Sequence, residues 1–356
     1  MCLVCGFSNI SKEEEPPVPF DENDANRLIN DVWIGIVTVA NLPDLMYYKT
    51  AGYLMGGVKK GVKESITPKV KNTVAKLINE DSFIFGSKTK EMAVEEVAEK
   101  MAQGAIDLSI SKEVEIASQI GVLEKTVIEQ IIAESGGTKS ELLESLLIDV
   151  FFDEPDYIMI ADLTENIYIF SGAKTYQDVR SLTDLLLDPE LKSNFYKFKE
   201  KALEIYKDYN EAYLQAEYQT ALASSRMAAE WNRIVADADL FPLLEYDTVG
   251  DSRVRPTHAA LDKICRPVFD KFWTTYYPPN GWRCRCSVKQ ITADEGTVTN
   301  LQGWLKPDDV PPEFMMNSGQ DKYIFKTKGK DKHPYFKVAK GDKKAAQNNF
   351  GFPIPK

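Results

Sequence analysis

Histidine is scarce in this chain, because its 356 residues include only two, His258 and His333. The sequence also lacks a phosphate-binding glycine loop, a Gly-Xaa-Ser-Xaa-Gly elbow and a paired His-Glu metal motif. These are the short motifs by which hydrolases, nucleotide-binding enzymes and metallopeptidases are most readily recognised. We therefore expect no enzymatic activity and no small-molecule substrate.

Long apolar runs are absent as well. No stretch of about 18 apolar residues occurs, so we expect no membrane partner. The first residues lack the basic start and apolar centre of a secretion signal. Five cysteines are an odd count and do not suggest a disulfide framework in so long a chain. Cys2 and Cys5 form an isolated Cys-Xaa-Xaa-Cys pair, which we interpret as thiols without a function.

Charge is distributed unevenly along the chain. The net charge is -11, which argues against nucleic acid binding over the whole surface. Residues 321–356, however, contain ten lysines and three acidic residues, whereas the remainder contains 33 basic and 51 acidic residues. A basic tail on an acidic body suggests that the tail is the part that contacts polyanions.

Apolar spacing and helix breakers divide the chain into six segments. They are a polar leader (1–25), an N-terminal helical segment (26–66), a helical insertion (67–150), a helical part (151–240), a small α+β module (241–320) and a basic tail (321–356). The predicted fold class is α+β and predominantly helical, with short strands in the C-terminal module at 243–248, 276–279 and 284–291. Residues 153–210 are expected to form short helices separated by turns.

Two of the predicted helices have distinctive faces. The helix after Pro43 is rich in glycine, which lowers helix propensity by roughly 1 kcal/mol per residue, so we expect close packing against a partner helix. Residues 211–236 give the clearest helix, with one stripe at steps of three or four. The stripe consists of Tyr213, Glu217, Thr220, Ser224, Met227, Trp231 and Ile234.

A turn with two cysteines stands out near the end of the α+β module. Residues 278–281 (PPNG) include Pro279, Asn280 and Gly281, a composition typical of tight turns, and Gly281 can take a positive φ. Cys284 and Cys286 are two residues apart, so in a strand their side chains share one face.

An alternating charged arm precedes this turn. It consists of Asp251, Arg253 and Arg255 and leads to His258. These charges could bind phosphate or act in catalysis, but we favour an ion-pair network, involving Asp247, that fixes the loop.

Together, these elements resemble the phage Mu F-like minor head protein family. Members carry Tyr-Xaa-Thr-Xaa-Xaa-Asp-Xaa-Arg-Val-Arg-Pro-Xaa-His-Xaa-Xaa-Leu, then a Phe-Trp pair and Pro-Pro-Asn-Gly-Trp-Xaa-Cys-Arg-Cys. Residues 246–261, 272–273 and 278–286 match these motifs. Further segments are similar to the family at 166–175, in the central helix at Glu217, Tyr218, Thr220, Ala221 and Trp231, and at Asn317, Gly319 and 333–335. The resemblance covers about residues 153–340, and residues 67–150 depart from it.

The resemblance implies a minor head protein of a tailed phage or prophage. Such a protein is expected inside the procapsid near the portal, with portal and other head proteins as partners, a role in assembly and possible DNA delivery. Host cytoplasm would be its location during assembly. The alternative is an enzyme or toxin-type effector carried by a Mu F-like domain, although too little chain follows the module for a separate toxin domain.

His258, Cys284 and Cys286 could bind zinc, since imidazole and thiolate are its usual ligands. A fourth ligand could be Cys265 or Asp251. The alternative is that the cysteines are small buried apolar residues and that the histidine is a hydrogen-bonded core residue.

Two further groups of residues are candidates for specific roles. Trp273 and Trp282 are expected in the core, where they would hold the turn against the central helix, rather than to form a ligand platform. The lysines of the tail could contact packaged DNA or the acidic inner surface of another head protein, or the tail could be a solvated end. The lysines are Lys326, Lys328, Lys330, Lys343 and Lys344.

Overall fold

The structure is a computed structural model that describes residues 20–80, 154–301 and 310–355, apart from the side chains of 66–80 and 154–157. The predicted leader up to residue 19, with Cys2 and Cys5, lies outside the described residues. So does most of the predicted insertion at 67–150. Among the described residues, no helix combines the length and the apolar character needed to cross a bilayer.

The described residues form a helical body and a small sheet module, which confirms the predicted fold class. The helices are α1 (Glu22–Trp33), α2 (Asp44–Glu80), α3 (Glu154–Leu185), α4 (Pro189–Ser193), α5 (Phe195–Tyr206), α6 (Leu214–Ala236), α7 (Pro256–Ala259), α8 (Trp273–Tyr276), α9 (Ser318–Asp321) and α10 (Lys343–Gln347). The strands are β1 (Leu243–Asp247), β2 (Cys265–Pro267) and β3 (Ser287–Ile291). A π-helical segment, Lys207–Tyr213, joins α5 to α6.

Helix α1 begins inside the segment assigned to the leader. Asp21 caps it, since its carboxylate accepts a hydrogen bond from the Asp24 backbone N–H, and the Asp24 side chain accepts one in return from the Asp21 N–H. This reciprocal pair satisfies two backbone donors that a helix end leaves free. The predicted leader therefore ends earlier than residue 25, at the Asp21 cap.

The glycines of α2 allow the close helix packing that the sequence predicted. A Cβ at Gly61 would lie 2.2 Å from the Leu222 carbonyl oxygen, and one at Gly57 would lie 2.8 Å from the Tyr218 carbonyl oxygen. Helices α2 and α6 therefore meet backbone to backbone. Along α6, the predicted stripe is buried except for Tyr213, which is 46% exposed.

Helix α3 corrects the prediction of short helices and turns over residues 153–210. It runs unbroken from Glu154 to Leu185, through Ser171 and Gly172. Gly172 serves packing, because a Cβ there would lie 2.4 Å from Oδ1 of Asn349 in the C-terminal segment. The Ser171 hydroxyl donates to the Ile167 carbonyl one turn earlier and so leaves the helix intact.

The sheet is antiparallel, with the order β2-β1-β3. Strand β1 confirms the prediction for residues 243–248, and β3 occupies the second half of the predicted 284–291. The prediction of a strand at 276–279 was wrong, because α8 ends there and is followed by a cis Pro278–Pro279 bond. Strand β2 was not predicted, since three residues are too few to show alternation.

The C-terminal segment packs into the helical body. The rings of Phe325 and Phe170 stack at 3.8 Å, and those of Phe352 and Tyr47 stack at 4.2 Å. The Asn166 side chain accepts hydrogen bonds from the backbone N–H groups of Ile324 and Phe325. The alternative that the tail is a solvated end is therefore wrong for residues 323–325, 333, 335 and 352, which are buried or partly buried.

Candidate functional site

His258, Cys284 and Cys286 meet in the interior of the sheet module. His258 lies on α7, and the two cysteines lie in the turn that leads into β3. The Nδ1 atom of His258 is 3.6 Å from the Sγ atom of Cys284 and 3.6 Å from that of Cys286. All three side chains are buried, at 3%, 7% and 6% exposure. Two ligand-bearing segments that are 26 residues apart in sequence thus converge on one point.

Asn280 fixes the turn that carries the cysteines. This fully buried side chain accepts a hydrogen bond from the Tyr246 hydroxyl at 2.8 Å and donates to the carbonyls of Thr275 and Tyr277. A positive φ was expected at Gly281, but Arg283 takes it instead, at 56°. A Cβ at Gly281 would make only ordinary contacts, at 3.6 Å from the Arg255 guanidinium and 3.8 Å from Nε2 of His258.

The charged arm pairs across to the cysteine turn. Asp251 forms a bidentate ion pair with Arg285, with both N···O distances at 2.7 Å, and pairs more weakly with Arg253 at 3.4 Å. The hydrogen bonds from Arg285 lower the pKa of Asp251 well below its usual value. Arg255 donates to the Trp282 carbonyl. These contacts support the interpretation of a network that fixes the loop.

The predicted involvement of Asp247 in that network was wrong. Its carboxylate pairs with Lys263, at 2.7 Å. The reason is geometric: Asp247 ends β1, and Lys263, whose backbone N–H donates to the Tyr246 carbonyl, lies directly beside it.

The two thiols influence each other strongly. A hydrogen bond from Cys286 lowers the pKa of Cys284 well below its usual range, with a further lowering by His258. The pKa of Cys286 is raised, first by that same hydrogen bond and then by burial. The ionisation of either thiol therefore depends on the other.

Neither proposed fourth ligand lies at this cluster. Cys265 packs with Leu243 and Ile291 in a separate small apolar cluster, and Asp251 is engaged with Arg285. Within the described ranges, His258, Cys284 and Cys286 are the residues whose ligand atoms could share a metal ion, with all ligand atoms within 4.8 Å of one another.

Trp273 lies in the core, as expected, whereas Trp282 is partly buried at the edge of the core. Trp273 is fully buried in the sheet module and donates its indole N–H to the Pro267 carbonyl. Trp282 contacts Phe314, Phe325 and His333 through ring edges and tilted faces. Trp282 thus joins the cysteine turn to the C-terminal segment.

A second buried polar cluster escaped the sequence prediction of sites. The Lys174 ammonium, fully buried on α3, pairs with Glu217 of α6 at 3.2 Å and donates to the Tyr209 carbonyl at 2.7 Å. The Tyr335 hydroxyl donates to the same Glu217 oxygen at 2.7 Å. Three segments that each resembled the family, around residues 174, 217 and 335, are thereby joined. Their shared chemistry was not visible while they were separate motifs.

Asp178 lies one turn beyond Lys174, in the same interior. Both of its carboxylate oxygens are buried and form no hydrogen bond among the described residues. Burial raises its pKa to about 7, opposed by Lys174 and reinforced by Glu217. Burial also lowers the pKa of His333 to about 3, with Lys174 adding to the effect. His333 therefore stays neutral, and its Nδ1 accepts from the Tyr335 backbone N–H.

The candidate DNA-contacting lysines divide into two groups. The Lys326 ammonium donates to the Met315 and Pro312 carbonyls, so it serves the fold. The other four, Lys328, Lys330, Lys343 and Lys344, are exposed.

Comparison with known proteins agrees with the resemblance in the sheet module and the helices before it. Residues 187–289 match the model of the family described as Phage Mu protein F like protein. These residues are similar to that family, and residues 187–289 are called the Mu F-like region below. The Mu F-like region extends from α4 to β3 and contains Glu217, His258, Cys284 and Cys286. The resemblances noted at 166–175 and 317–335 lie outside the matched residues.

Two named relatives share part of this region. The chain is 44% identical over 84 residues to "Putative capsid assembly protein F" of Escherichia phage Mu, an alignment that covers 24% of this chain and 18% of the relative. It is 38% identical over 65 residues to the Mu-like prophage FluMu F protein of Haemophilus influenzae, covering 18% and 16%. The aligned part is thus less than a fifth of either relative's length. No solved structure matches the chain.

Proposed function

We propose that this protein is a minor capsid and head morphogenesis protein of a tailed phage or prophage. The observation that carries the proposal is the 44% identity over 84 residues to a phage Mu protein named for capsid assembly. The Mu F-like region also has a defined fold, in which α6 extends from the core of the helical body into that of the sheet module. Because α6 joins the two cores, the Mu F-like region is rigidly connected to the helical body, which suits a protein that positions other proteins in an assembly.

In this proposal the protein acts inside the procapsid near the portal, with portal and other head proteins as partners. Four large apolar side chains of the Mu F-like region are exposed by 70% or more, and contacts in an assembly would cover them. They are Leu187 (80%), Tyr196 (85%), Leu240 (73%) and Phe269 (71%).

The proposed role is assembly rather than catalysis. Lys174 and Glu217, the buried charges at the centre of the helical body, pair with each other and with Tyr335. Asp251 and Arg285 likewise neutralise each other. Charged groups paired in this way hold segments of the chain together. A substrate would have to displace these contacts before it could reach the charged groups.

Packaged DNA is a second proposed partner. Lys328, Lys330, Lys343 and Lys344 project from a surface that belongs to the basic C-terminal segment of an otherwise acidic chain. Lysines that neutralise phosphates release counterions, so this contact would weaken steeply as salt increases.

Isolation of procapsids from the phage or prophage that carries the gene tests the main proposal. We expect mass spectrometry to find the protein in procapsids, and deletion of its gene to reduce the yield of filled heads. Procapsids and virions that lack the protein would refute the proposal.

Co-purification with the portal protein tests the more specific proposal that the protein contacts the portal. Leu240→Asp and Phe269→Asp should weaken co-purification, because each places a charge at an exposed apolar position of the Mu F-like region, the proposed contact surface. Ile36→Asp is the matched control, since Ile36 is 59% exposed but lies outside that region. Equal co-purification of all three variants would argue against a contact through this surface.

A further inference from the structure

We infer that His258, Cys284 and Cys286 bind one zinc ion, which pins α7 to the turn before β3. This site goes beyond the assembly role and does not depend on it. Zinc is the metal class because a set of two thiolates and one imidazole suits it best among abundant cellular ions.

The distances agree with a shared metal. Tetrahedral zinc, with Zn–S near 2.3 Å and Zn–N near 2.0–2.1 Å, requires about 3.5–3.6 Å between the nitrogen and each sulfur. The observed separation from Nδ1 of His258 is 3.6 Å to Cys284 and 3.6 Å to Cys286.

The symmetry of these contacts favours a metal over simple hydrogen bonds. A ring nitrogen has one in-plane direction in which to donate or accept, so it makes one good hydrogen bond. Equal distances from Nδ1 to two sulfur atoms are therefore difficult to satisfy with protons. An ion located between the three atoms explains both distances at once.

The surroundings hold the ligands in place. Asn280 anchors the turn, while the Asp251–Arg285 ion pair and the Arg255–Trp282 hydrogen bond join the two ligand-bearing segments around the cluster. Zinc would also stabilise the fold of the sheet module, because the free energy of metal binding adds to the free energy of folding. The three protein ligands leave the fourth position to water.

Metal analysis of the full chain tests this inference directly. The protein is purified without chelator and without a polyhistidine tag, and its zinc content is measured by plasma mass spectrometry. We expect about one zinc per chain, because the free energy of zinc binding adds to the free energy of folding. Cys284→Ser and Cys286→Ser should each lose most of it.

Two control variants locate the metal. Cys265→Ser changes a buried cysteine of the same module outside the cluster and should keep the zinc. The double variant Cys2→Ser/Cys5→Ser should also keep it, which separates this site from the N-terminal cysteine pair. Zinc-free wild-type protein, even after incubation with zinc, would overturn the inference, as would full zinc content in both Cys284→Ser and Cys286→Ser.

A measurement on the wild-type chain covers the case in which the serine variants do not fold. Cobalt substituted for zinc should give thiolate-to-metal charge-transfer absorption and the intense visible bands of tetrahedral cobalt. The double variant Cys2→Ser/Cys5→Ser should give the same spectrum. Bound cobalt without thiolate bands would overturn the inference.

Discussion

Asp178 carries an ionisable group in the interior with no hydrogen-bond partner among the described residues. Its pKa of about 7 in the folded chain lies well above the unfolded value of about 3.9, because burial disfavours the carboxylate. The folded state therefore holds a proton that the unfolded state releases between these two values. The free energy of unfolding falls as pH rises through this window and stays low above about pH 7.

Replacement of Asp178 by asparagine should remove this pH dependence. Lys174, Glu217 and Tyr335 remain in both proteins, so the difference between them isolates Asp178. Urea unfolding should show Asp178→Asn more stable than wild type by about 2–4 kcal/mol near pH 8, with a smaller gap near pH 5. Asp184→Asn, on the exposed side of the same helix, is the control and should follow the wild-type curve. A constant gap at both pH values would contradict the assignment.

Asn166 ties the C-terminal segment to α3 by three buried hydrogen bonds. It accepts from the N–H groups of Ile324 and Phe325 and donates to the Phe325 carbonyl at 2.9 Å. Asn166→Ala leaves these backbone groups unpaired, at about 1–3 kcal/mol each, and we expect a loss of about 3 kcal/mol in chemical denaturation. Gln177→Ala removes two hydrogen bonds to the same segment that are closer to solvent. It should therefore lower the free energy of unfolding clearly less than Asn166→Ala does.

At the level of elements, the contact between α2 and α6 depends on the glycines on the face of α2 that meets α6. Gly61→Ala forces a Cβ against the Leu222 carbonyl and the Ser225 hydroxyl, and we expect a loss of about 1–3 kcal/mol. Gly52→Ala on the same helix meets no atom within 4 Å, so it should stabilise by up to about 1 kcal/mol through helix propensity. Thermal unfolding of both variants would therefore show shifts of opposite sign. Equal shifts would mean that the two helices are not in close contact.

The sequence predicted elements well where the signal was local. The stripe on α6 and the glycines of α2 follow from helical periodicity and from the cost of glycine in a helix. Helix α3 was missed because Gly172 resembles a break until Asn349, almost 180 residues away, is known to pack on it. Strand β2 was missed because its pairing with β1, rather than its composition, makes it a strand.

The two buried polar clusters also differ in how far the sequence alone could predict them. His258, Cys284 and Cys286 could be proposed as one site from the sequence, because histidine and cysteine are the usual zinc ligands. Lys174, Glu217 and Tyr335 could not, since a lysine, a glutamate and a tyrosine are ordinary surface residues until the fold buries them against one another.

At the level of the whole molecule, the basic C-terminal segment combines an embedded apolar part with exposed charge. Changing Lys328, Lys330, Lys343 and Lys344 to glutamine should reduce DNA binding at low salt several-fold and leave the fold intact. A matched set of four exposed lysines elsewhere should have little effect. The control set is Lys192, Lys197, Lys201 and Lys207. Fluorescence anisotropy with labelled DNA measures both, and equal losses would indicate nonspecific charge effects.

Deletion of residues 321–356 would not be a clean test of DNA binding. Such a deletion removes Phe325, Tyr335 and Phe352 from the core together with the lysines. We expect the truncated chain to lose cooperative unfolding in circular dichroism, whereas the lysine variant should keep it.

The stacking of Phe352 on Tyr47 also sets an order of events during synthesis. Helix α2 is among the earlier parts of the chain to leave the ribosome, yet its core partners near residues 325 and 352 are translated some 300 residues later. Until then the apolar faces of α2 and α3 lack the rings that cover them, and they are open to chaperones or to contacts with other nascent chains. The helical body is thus completed only after its C-terminal segment has been translated, however early its helices form.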